Sequence, residues 1–192
     1  MQDWHEWRSE GIGASDAAVI MKKFPFGKTP RMLWKEKVNC LITPETPAMS
    51  HGKLMEPKAR AWFENKMGIS VKGDVRVEHP NMRWMRATLD GIDESKKIMV
   101  EIKCPYNVAN HKRVKKTSEV PDIYFDQLQH QMKVTELDAM WFLSYNHLDE
   151  EDSIILEVFR RNSYIDILVE EELLFFNNMI NLIPPELTKF DV

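Results

Sequence analysis

The sequence predicts an α/β domain in which helices flank a β-sheet, and three observations lead to that fold class. Its 192 residues are 43% hydrophobic and 29% charged, which is an ordinary balance for one globular domain. Residues 89–105 hold two apolar runs separated by a short polar turn, which is the pattern of a β-hairpin. Segments in which apolar residues recur at helical spacing precede and follow this hairpin. We therefore expect a single domain over residues 1–192, with a motif-bearing core at about 4–146 and a further strand and helix at about 154–183.

Composition excludes several classes of protein. No apolar run approaches the ~20 residues that span a bilayer, and the first residues do not form a secretory signal. We therefore expect a cytoplasmic protein with no membrane partner. Cys40 and Cys104 are too few for a disulfide framework or a four-cysteine cluster, which favours a reducing compartment.

Charge is distributed unevenly along the chain. The net charge is −4, but the segment from Ser144 to the end holds 3 basic and 11 acidic residues out of totals of 26 and 30. The rest of the chain therefore holds 23 basic and 19 acidic residues. This part can present a positive surface to nucleic acid, although charge alone does not indicate such a partner.

The first predicted elements are a lead-in and two helices. Residues 4–21 contain a turn at 11–13 and then a helix that Ser15 or Asp16 can cap. A second helix begins at Pro30, because proline is tolerated at the first helical position.

A third helix is predicted over residues 51–66. Leu54, Ala61 and Trp62 fall at helical spacing, so we expect them in the core. Glu56 lies on the same helix, where a solvated glutamate is the ordinary interpretation.

Two strands are expected before the hairpin turn. Residues 71–77 alternate apolar and polar side chains, and residues 83–89 form the strand that leads to Asp90. Thr88 lies one pleat before Asp90 on the same face. Its hydroxyl can contact a phosphate, or the threonine can simply favour β structure.

The hairpin brings three charged side chains together. Glu101 and Lys103 are two residues apart and share one face of their strand, while Ile102 points to the other. Opposed Cβ atoms in a hairpin lie ~5 Å apart, so Asp90 can approach Glu101. Carboxylates are the ligands that Mg²⁺ selects, and a nearby lysine can orient a water or stabilise charge on phosphorus. The alternative is a surface hairpin with a solvated ion pair, but the apolar residues around Glu101 favour a buried site.

Two polar segments follow the hairpin. A basic run after it is either a solvated face or a track for phosphates; it contains Lys112, Arg113, Lys115 and Lys116. A helix over 121–135 then places Gln127 and Gln131 on one face, because they are four residues apart. A glutamine facing the site can hold the attacking water or a phosphate, and a polar helix flank is the alternative.

The last quarter of the chain extends the sheet. Strands are expected at 139–145 and 154–160 around an acidic loop, followed by a helix at 164–183 that Pro184 ends. Its acidic residues Glu170–Glu172 are expected at the solvent or at a subunit contact. The six histidines have no metal-ligand spacing, so we expect none of them to bind a metal.

Several of these segments resemble one nuclease family. Asp90 followed by Glu101-Ile102-Lys103 resembles the PD-(D/E)xK signature, with Leu89 in the place of its proline. The continuation Cys104-Pro105, the blocks W-x-x-x-R-x-x-G-I-x-A-S and G-x-x-x-E-P, and the block Y-x-x-Q-x-Q resemble the phage lambda exonuclease branch, the YqaJ-type viral recombinases. The resemblance implies a restriction-endonuclease-like core, with a central mixed β-sheet flanked by helices.

The resemblance also implies roles for particular residues. Mg²⁺, for which Mn²⁺ can substitute, is expected as two ions per site. The implied metal-binding groups are Glu56, Asp90, Glu101 and the backbone carbonyl of Ile102. Lys103 and Gln127 are implied to act with Asp90 and Glu101 in catalysis. The implied contacts to the DNA 5′-phosphate are Arg8 and Ser15, and Thr88 is added to them from its position on the strand.

The function implied is a Mg²⁺-dependent 5′-to-3′ exonuclease on double-stranded DNA, which leaves 3′ single strands for phage-type recombination. Its implied partners are DNA ends, two further copies in a ring-shaped homotrimer, and a single-strand annealing protein, all in the host cytoplasm if a phage encodes it. A structure- or sequence-specific endonuclease on the same core is the first alternative. A non-catalytic DNA-binding or assembly protein is the second, and the presence of every motif residue disfavours it.

Overall fold

The computed structural model describes residues 3–23 and 25–191. It contains helices α1 to α7, which are Trp4–Ser9, Ala17–Ile20, Pro30–Val38, Pro47–Met67, Val108–Thr117, Asp122–Thr135 and Asn162–Ile180. Strands β1 to β7 are Ile12–Gly13, Val75–Glu78, Met85–Leu89, Gly91–Asp93, Ile98–Lys103, Ala139–Ser144 and Ile154–Phe159. The predicted α/β class is confirmed. No helix among the described residues is long and apolar enough to cross a membrane.

The strands form two mixed sheets that meet at Asp90. The first has the order β1-β3-β2, with β1 parallel to β3, and the second has the order β4-β5-β6-β7, with β5 parallel to β6. Helix α6 packs against β3, β2 and β6, while α4 packs against β5. Strand β5 alternates accordingly, since Met99 joins the core beneath α6 while Val100 and Ile102 join the core beneath α4.

Helix α4 is longer than predicted and has a different buried face. Leu54 is 71% exposed and Ala61 is also exposed, so their assignment to the core is wrong. Ala59 and Phe63 are buried instead, one turn apart, against β5, and Trp62 packs at the edge of that cluster. The spacing of apolar residues is compatible with burial of either face of α4, and contact with the sheet determines which face is buried.

The N-terminal segment contains more structure than the predicted lead-in. Residues 4–9 form α1, and the predicted turn contributes β1 beside β3. Gly11 is required there, because a Cβ would lie 2.5 Å from the carbonyl oxygen of Trp84. Ser15 and Asp16 both lie inside a 3₁₀ turn, and neither side chain caps α2. Helix α3 begins at Pro30, as predicted.

The predicted strand at 71–77 is shorter in the structure, where β2 begins at Val75. Lys72 makes only an isolated bridge to Ile92, and Asp74 has a φ of 54°, which interrupts the extended chain. The next strand begins at Met85 rather than at residue 83. The segment before β2 is thus bent toward α4.

The C-terminal helix α7 departs from the prediction at Glu172. This carboxylate is fully buried, and its Oε1 lies 2.8 Å from Nδ1 of His130 on α6, so its expected exposure is wrong. Glu172 stands in phase with the buried residues Leu168 and Phe175. The helix also ends at Ile180, before Pro184.

The buried pair predicts a pH-dependent stability. Burial lowers the pKa of His130, but the Glu172 carboxylate and the Arg86 carbonyl outweigh it and raise the pKa above 6.5. Because the pKa of His130 is higher in the folded state than in the unfolded state, protonation of His130 stabilises the fold. This stabilisation is complete below pH 6.5 and is lost as the pH rises through the folded-state pKa. Glu172→Gln should therefore lower the free energy of unfolding near pH 6 by about 3–5 kcal/mol, because it breaks a buried pair.

Urea unfolding at pH 6 and at pH 9 measures both effects. The wild type should lose stability between the two pH values through this pair, whereas Glu172→Gln should not show that loss. Glu170→Gln, on the exposed side of the same helix, is the matched control. Equal stability of the two variants at pH 6 would contradict the assignment.

Candidate active site

The register of the hairpin brings Asp90 to the strand that carries Glu101. Gly91 pairs with Val100 across β4 and β5, so Asp90 continues the same register. The Asp90 Oδ2 atom accepts a hydrogen bond of 2.8 Å from the backbone N–H of Ile102. Asp90 and Glu101 are therefore neighbours on adjacent backbone segments.

Glu101 is the most enclosed carboxylate of the site, with 2% exposure. Its Oε1 accepts a hydrogen bond of 2.6 Å from Nε2 of Gln127, and its Oε2 accepts one of 2.6 Å from Nε2 of Gln131. Both glutamines come from α6, on the face that their spacing predicts. Gln131 was not predicted as a site residue, although its position one turn after Gln127 was the available signal.

Lys103 completes the group. Its Nζ lies 2.6 Å from Glu101 Oε1 and donates to Gln127 Oε1 at 3.2 Å. It also lies 4.8 Å from the centre of the Tyr124 ring, a cation–π distance. Burial lowers the pKa of Lys103, but the carboxylates of Glu101 and Asp90 raise it more, so the net pKa is raised. The side chain is an ammonium ion here and not a proton acceptor.

The electrostatics of the two carboxylates are unfavourable to both being ionised. Burial raises the pKa of Asp90, the charge of Glu101 raises it further, and Lys103 offsets only part of this. Like charges in a partly buried site are relieved by a cation. Among the described residues, no three His, Cys, Asp or Glu side chains are grouped to hold a metal ion.

Glu56 faces this site but pairs with Arg60. Arg60 Nη2 lies 2.5 Å from Glu56 Oε1, and Arg60 Nε donates to the backbone carbonyl of Asp90 at 2.7 Å. Burial raises the pKa of Glu56, and Arg60 opposes that rise incompletely. A Cβ at Gly73 would lie 2.0 Å from the guanidinium carbon of Arg60, so a side chain there would displace this arginine. Arg60 was not predicted as a site residue, although its position one turn after Glu56 was the available signal.

The three residues expected at the DNA 5′-phosphate lie in one cluster. Arg8 Nη2 donates to Ser15 Oγ at 2.9 Å, and its guanidinium lies 5.2 Å from the centre of the Trp4 ring. The indole N–H of Trp4 in turn lies 3.4 Å from Thr88 Oγ1. Trp4 thus links Arg8 to the strand that leads to Asp90.

A buried ion pair supports this cluster from inside. Lys37 Nζ lies 2.6 Å from Asp16 Oδ2 and donates to the carbonyls of Arg8 and Gly11, each at 2.8 Å. Burial raises the pKa of Asp16, but Lys37 and Arg8 lower it more, so Asp16 stays ionised. Lys37 was not singled out in the sequence, since a lysine in a helix is usually exposed.

The basic run forms helix α5 and is divided between two environments. His111 is buried, where its ring nitrogens contact Ser144 Oγ at 2.9 Å and Asp152 Oδ2 at 3.1 Å. Lys115 pairs with Asp152 as well. The remaining three cations are exposed; they are Lys112, Arg113 and Lys116. The helix is thus fixed to the sheet on one side and positively charged on the other.

A mixed sheet whose hairpin presents two carboxylates and a lysine to a glutamine-bearing helix defines the PD-(D/E)xK nuclease fold. The sequence profile of the YqaJ-like viral recombinase domain family matches residues 3–138, and the chain belongs to that family. The chain is 26% identical over 183 residues to the protein YqaJ of Bacillus subtilis, covering 93% of this chain but 56% of YqaJ.

Solved structures agree with this assignment. The alkaline exonuclease LHK-Exo from Laribacter hongkongensis superposes with a TM-score of 0.80 at 25% identity, covering 93% of each chain. LHK-Exo in complex with dAMP superposes with a TM-score of 0.82 at 26% identity, covering 94% of this chain and 93% of that one. The restriction-endonuclease-like fold and the predicted family are therefore confirmed.

Proposed function

We propose that this protein is a Mg²⁺-dependent 5′-to-3′ exonuclease on double-stranded DNA. The observation that carries the proposal is the convergence of Asp90, Glu101 and Lys103 on one spot, where Gln127 orients two of them. The similarity to LHK-Exo, which is described as an alkaline exonuclease, supports the same activity. Leaving 3′ single strands for phage-type recombination is the role proposed for such an enzyme.

The donor set fits a hard divalent ion. The carboxylates of Asp90 and Glu101 and the main chain of Ile102 offer oxygen donors, which Mg²⁺ prefers together with waters and phosphate oxygens. Asp90, Glu101 and the Ile102 carbonyl would hold the ion, or two ions with the help of Glu56 if it leaves Arg60. Mn²⁺ has similar ligand preferences and is expected to substitute. Bound metal would supply charge stabilisation at phosphorus and lower the pKa of water.

Lys103 is proposed to act as a cation. Its Nζ lies beside Glu101 Oε1 and donates a hydrogen bond to Gln127 Oε1, as an ammonium group does. From its position between Glu101 and Gln127, it can orient the attacking water and stabilise charge that develops on the phosphate oxygens. Gln127 holds both partners and thereby fixes this geometry.

The proposed exonuclease requires a DNA end. The test compares end-labelled linear duplex with covalently closed circular duplex, in Mg²⁺ and in EDTA. We expect digestion of the linear duplex from its 5′ ends in Mg²⁺ only, with the closed circle intact. Nicking of the closed circle would favour an endonuclease on the same residues, and cleavage of neither substrate would favour a DNA-binding protein.

Arg8 is proposed to bind the terminal 5′-phosphate with Ser15 and Thr88. Arg8→Ala should reduce the preference for 5′-phosphorylated over 5′-hydroxyl duplex by about 10- to 150-fold, since charge-assisted hydrogen bonds contribute roughly 1.5–3 kcal/mol. The rate on 5′-hydroxyl ends should change much less, because the paired carboxylates are untouched. Rates of both proteins on both substrates measure the effect.

Lys35→Ala provides a matched control for the loss of one exposed cation near the N-terminal region. Its phosphate preference should equal that of the wild type. If Arg8→Ala slows digestion of 5′-phosphorylated and 5′-hydroxyl duplex by the same factor, Arg8 contacts the DNA backbone in general or stabilises the fold.

We also propose a homo-oligomer, with a ring trimer as the specific expectation, and a single-strand annealing protein as partner. Exposed apolar side chains on α7 and after it support a subunit contact; they include Ile167, Leu174, Leu182 and Leu187. Light scattering of the purified protein tests the oligomer, and a monomer at all concentrations would contradict it.

A further inference from the structure

Three aromatic rings contact one another in series, edge to face, after the end of the catalytic strand β5. Tyr106, three residues after Lys103, is 62% exposed. Its ring lies edge-on to that of His51, with centroids 5.4 Å apart and planes inclined by 74°. His51 contacts His147 in the same manner, at 4.4 Å and 69°. An exposed tyrosine thus contacts one partly buried imidazole, which in turn contacts a second.

The two imidazoles act here as aromatic surfaces. Burial lowers the pKa of His51, and the neighbouring His147 lowers it further, so the His51 ring is neutral near pH 7. His51 Nε2 and His147 Nδ1 are buried and have no hydrogen-bond partner among the described residues. The three rings come from α4, from the segment after β5 and from the segment after β6. Three separate parts of the chain therefore converge to support one exposed ring.

The surroundings of Tyr106 are suited to nucleic acid. Helix α5 begins two residues later and carries exposed Lys112, Arg113 and Lys116. No ion pair involves these three side chains within the part of the chain that the structure describes. Proteins that hold single strands combine such a positive track for phosphates with exposed aromatic rings on which bases stack.

We propose, resting on the exonuclease function above, that Tyr106 is a stacking platform for one unpaired nucleobase at the end of the DNA. The base can belong to the strand being digested or to its complement, because every base has a π-face. His51 contacts this platform directly, His147 supports it through His51, and Tyr106 follows Lys103 by three residues in the chain. Tyr106 would therefore position DNA without touching the reacting phosphate.

The experiment uses the full chain carrying Asp90→Asn, so that DNA is bound without being cut. Two duplexes are compared. In the first, 5-iodouracil is at the unpaired 5′ end of the strand to be digested. In the second, it is at the opposing position of the complementary strand. Ultraviolet cross-linking followed by peptide mass spectrometry identifies the residue that stacks on the base in each arm. Fluorescence anisotropy with the same duplexes measures Kd for each variant.

We expect a cross-link at Tyr106 in one of the two arms, which identifies the strand. Tyr106→Ala should weaken binding by about 5- to 150-fold, the range of one base–aromatic stack, while Tyr106→Phe should bind nearly as the wild type does. Leu148→Ala is the matched control, because Leu148 is an exposed apolar neighbour of His147.

Wild-type affinity in Tyr106→Ala, or cross-links that map only to other residues, would overturn the platform. Equal losses in Tyr106→Ala and Tyr106→Phe would overturn it as well, because the hydroxyl would then be the contact. These readouts measure binding. A failure of the platform is therefore distinguishable from a failure of the exonuclease proposal, which the cleavage of linear duplex decides.

Discussion

Asp90→Asn should abolish Mg²⁺-dependent cleavage while the protein remains folded and binds DNA. An asparagine oxygen can still accept the hydrogen bond from the Ile102 N–H, so the local structure is retained and only the charge is lost. We expect the cleavage rate to fall by more than about 10²-fold. Mutation of residues that only hydrogen-bond to metal ligands typically lowers metal affinity or activity by about 10- to 100-fold, and Asp90 is proposed to be a ligand itself. DNA affinity should persist or improve, because one negative charge near the phosphates is removed.

Cleavage of 5′-phosphorylated linear duplex measures the loss, and anisotropy in EDTA measures the affinity. Glu94→Gln provides the matched control, since Glu94 is an exposed carboxylate in the turn of the same hairpin. Its rate should equal that of the wild type. Substantial Mg²⁺-dependent cleavage by an Asp90→Asn protein with a native circular dichroism spectrum would remove the basis of the proposed function.

Lys103→Met should reduce turnover by about 10²-fold or more and reduce DNA affinity much less. The reason is that the proposed role of Lys103 lies with the water and the developing charge, and not with ground-state binding. Lys103→Arg should restore little activity. The ammonium fits between Glu101, Gln127 and the Tyr124 ring, whereas a guanidinium is broader and donates in a fork.

Single-turnover kinetics at saturating enzyme separate the chemical step from binding. Lys72→Ala removes an exposed lysine from the segment that bridges to β4 and serves as the control. If Lys103→Met lost affinity while its single-turnover rate stayed unchanged, Lys103 would be a phosphate contact only.

The hairpin and the charged side chains on it were predictable because their geometry is local. Asp90 and Ile102 are joined by one tight turn, so the two-residue period of the strands determines which side chains share a face. Gln127 and Gln131 were placed on one face for the same reason, since helical spacing is also local. The family resemblance added the roles of these residues, and the match to residues 3–138 confirms the family.

The partners of these groups were not predictable to the same degree. Both oxygens of Glu101 are held from α6, about 30 residues further along the chain. Lys37 supports Arg8 from α3, and Glu172 was assigned to the solvent although it is buried against His130. Each of these contacts depends on which face of a helix meets the sheet, and propensity and spacing leave that choice open.

By itself the sequence determined the class of fold, the hairpin and the set of carboxylates and lysine that it carries, because these follow from periodicity within short segments. Only the tertiary structure decided that Arg60 pairs with Glu56, that α4 buries Ala59 and Phe63 rather than Leu54, and that the ring of Tyr106 is supported by imidazoles from two other segments. The physical reason is that packing chooses among helix faces by the total apolar area and hydrogen bonding of distant segments, which no local pattern records.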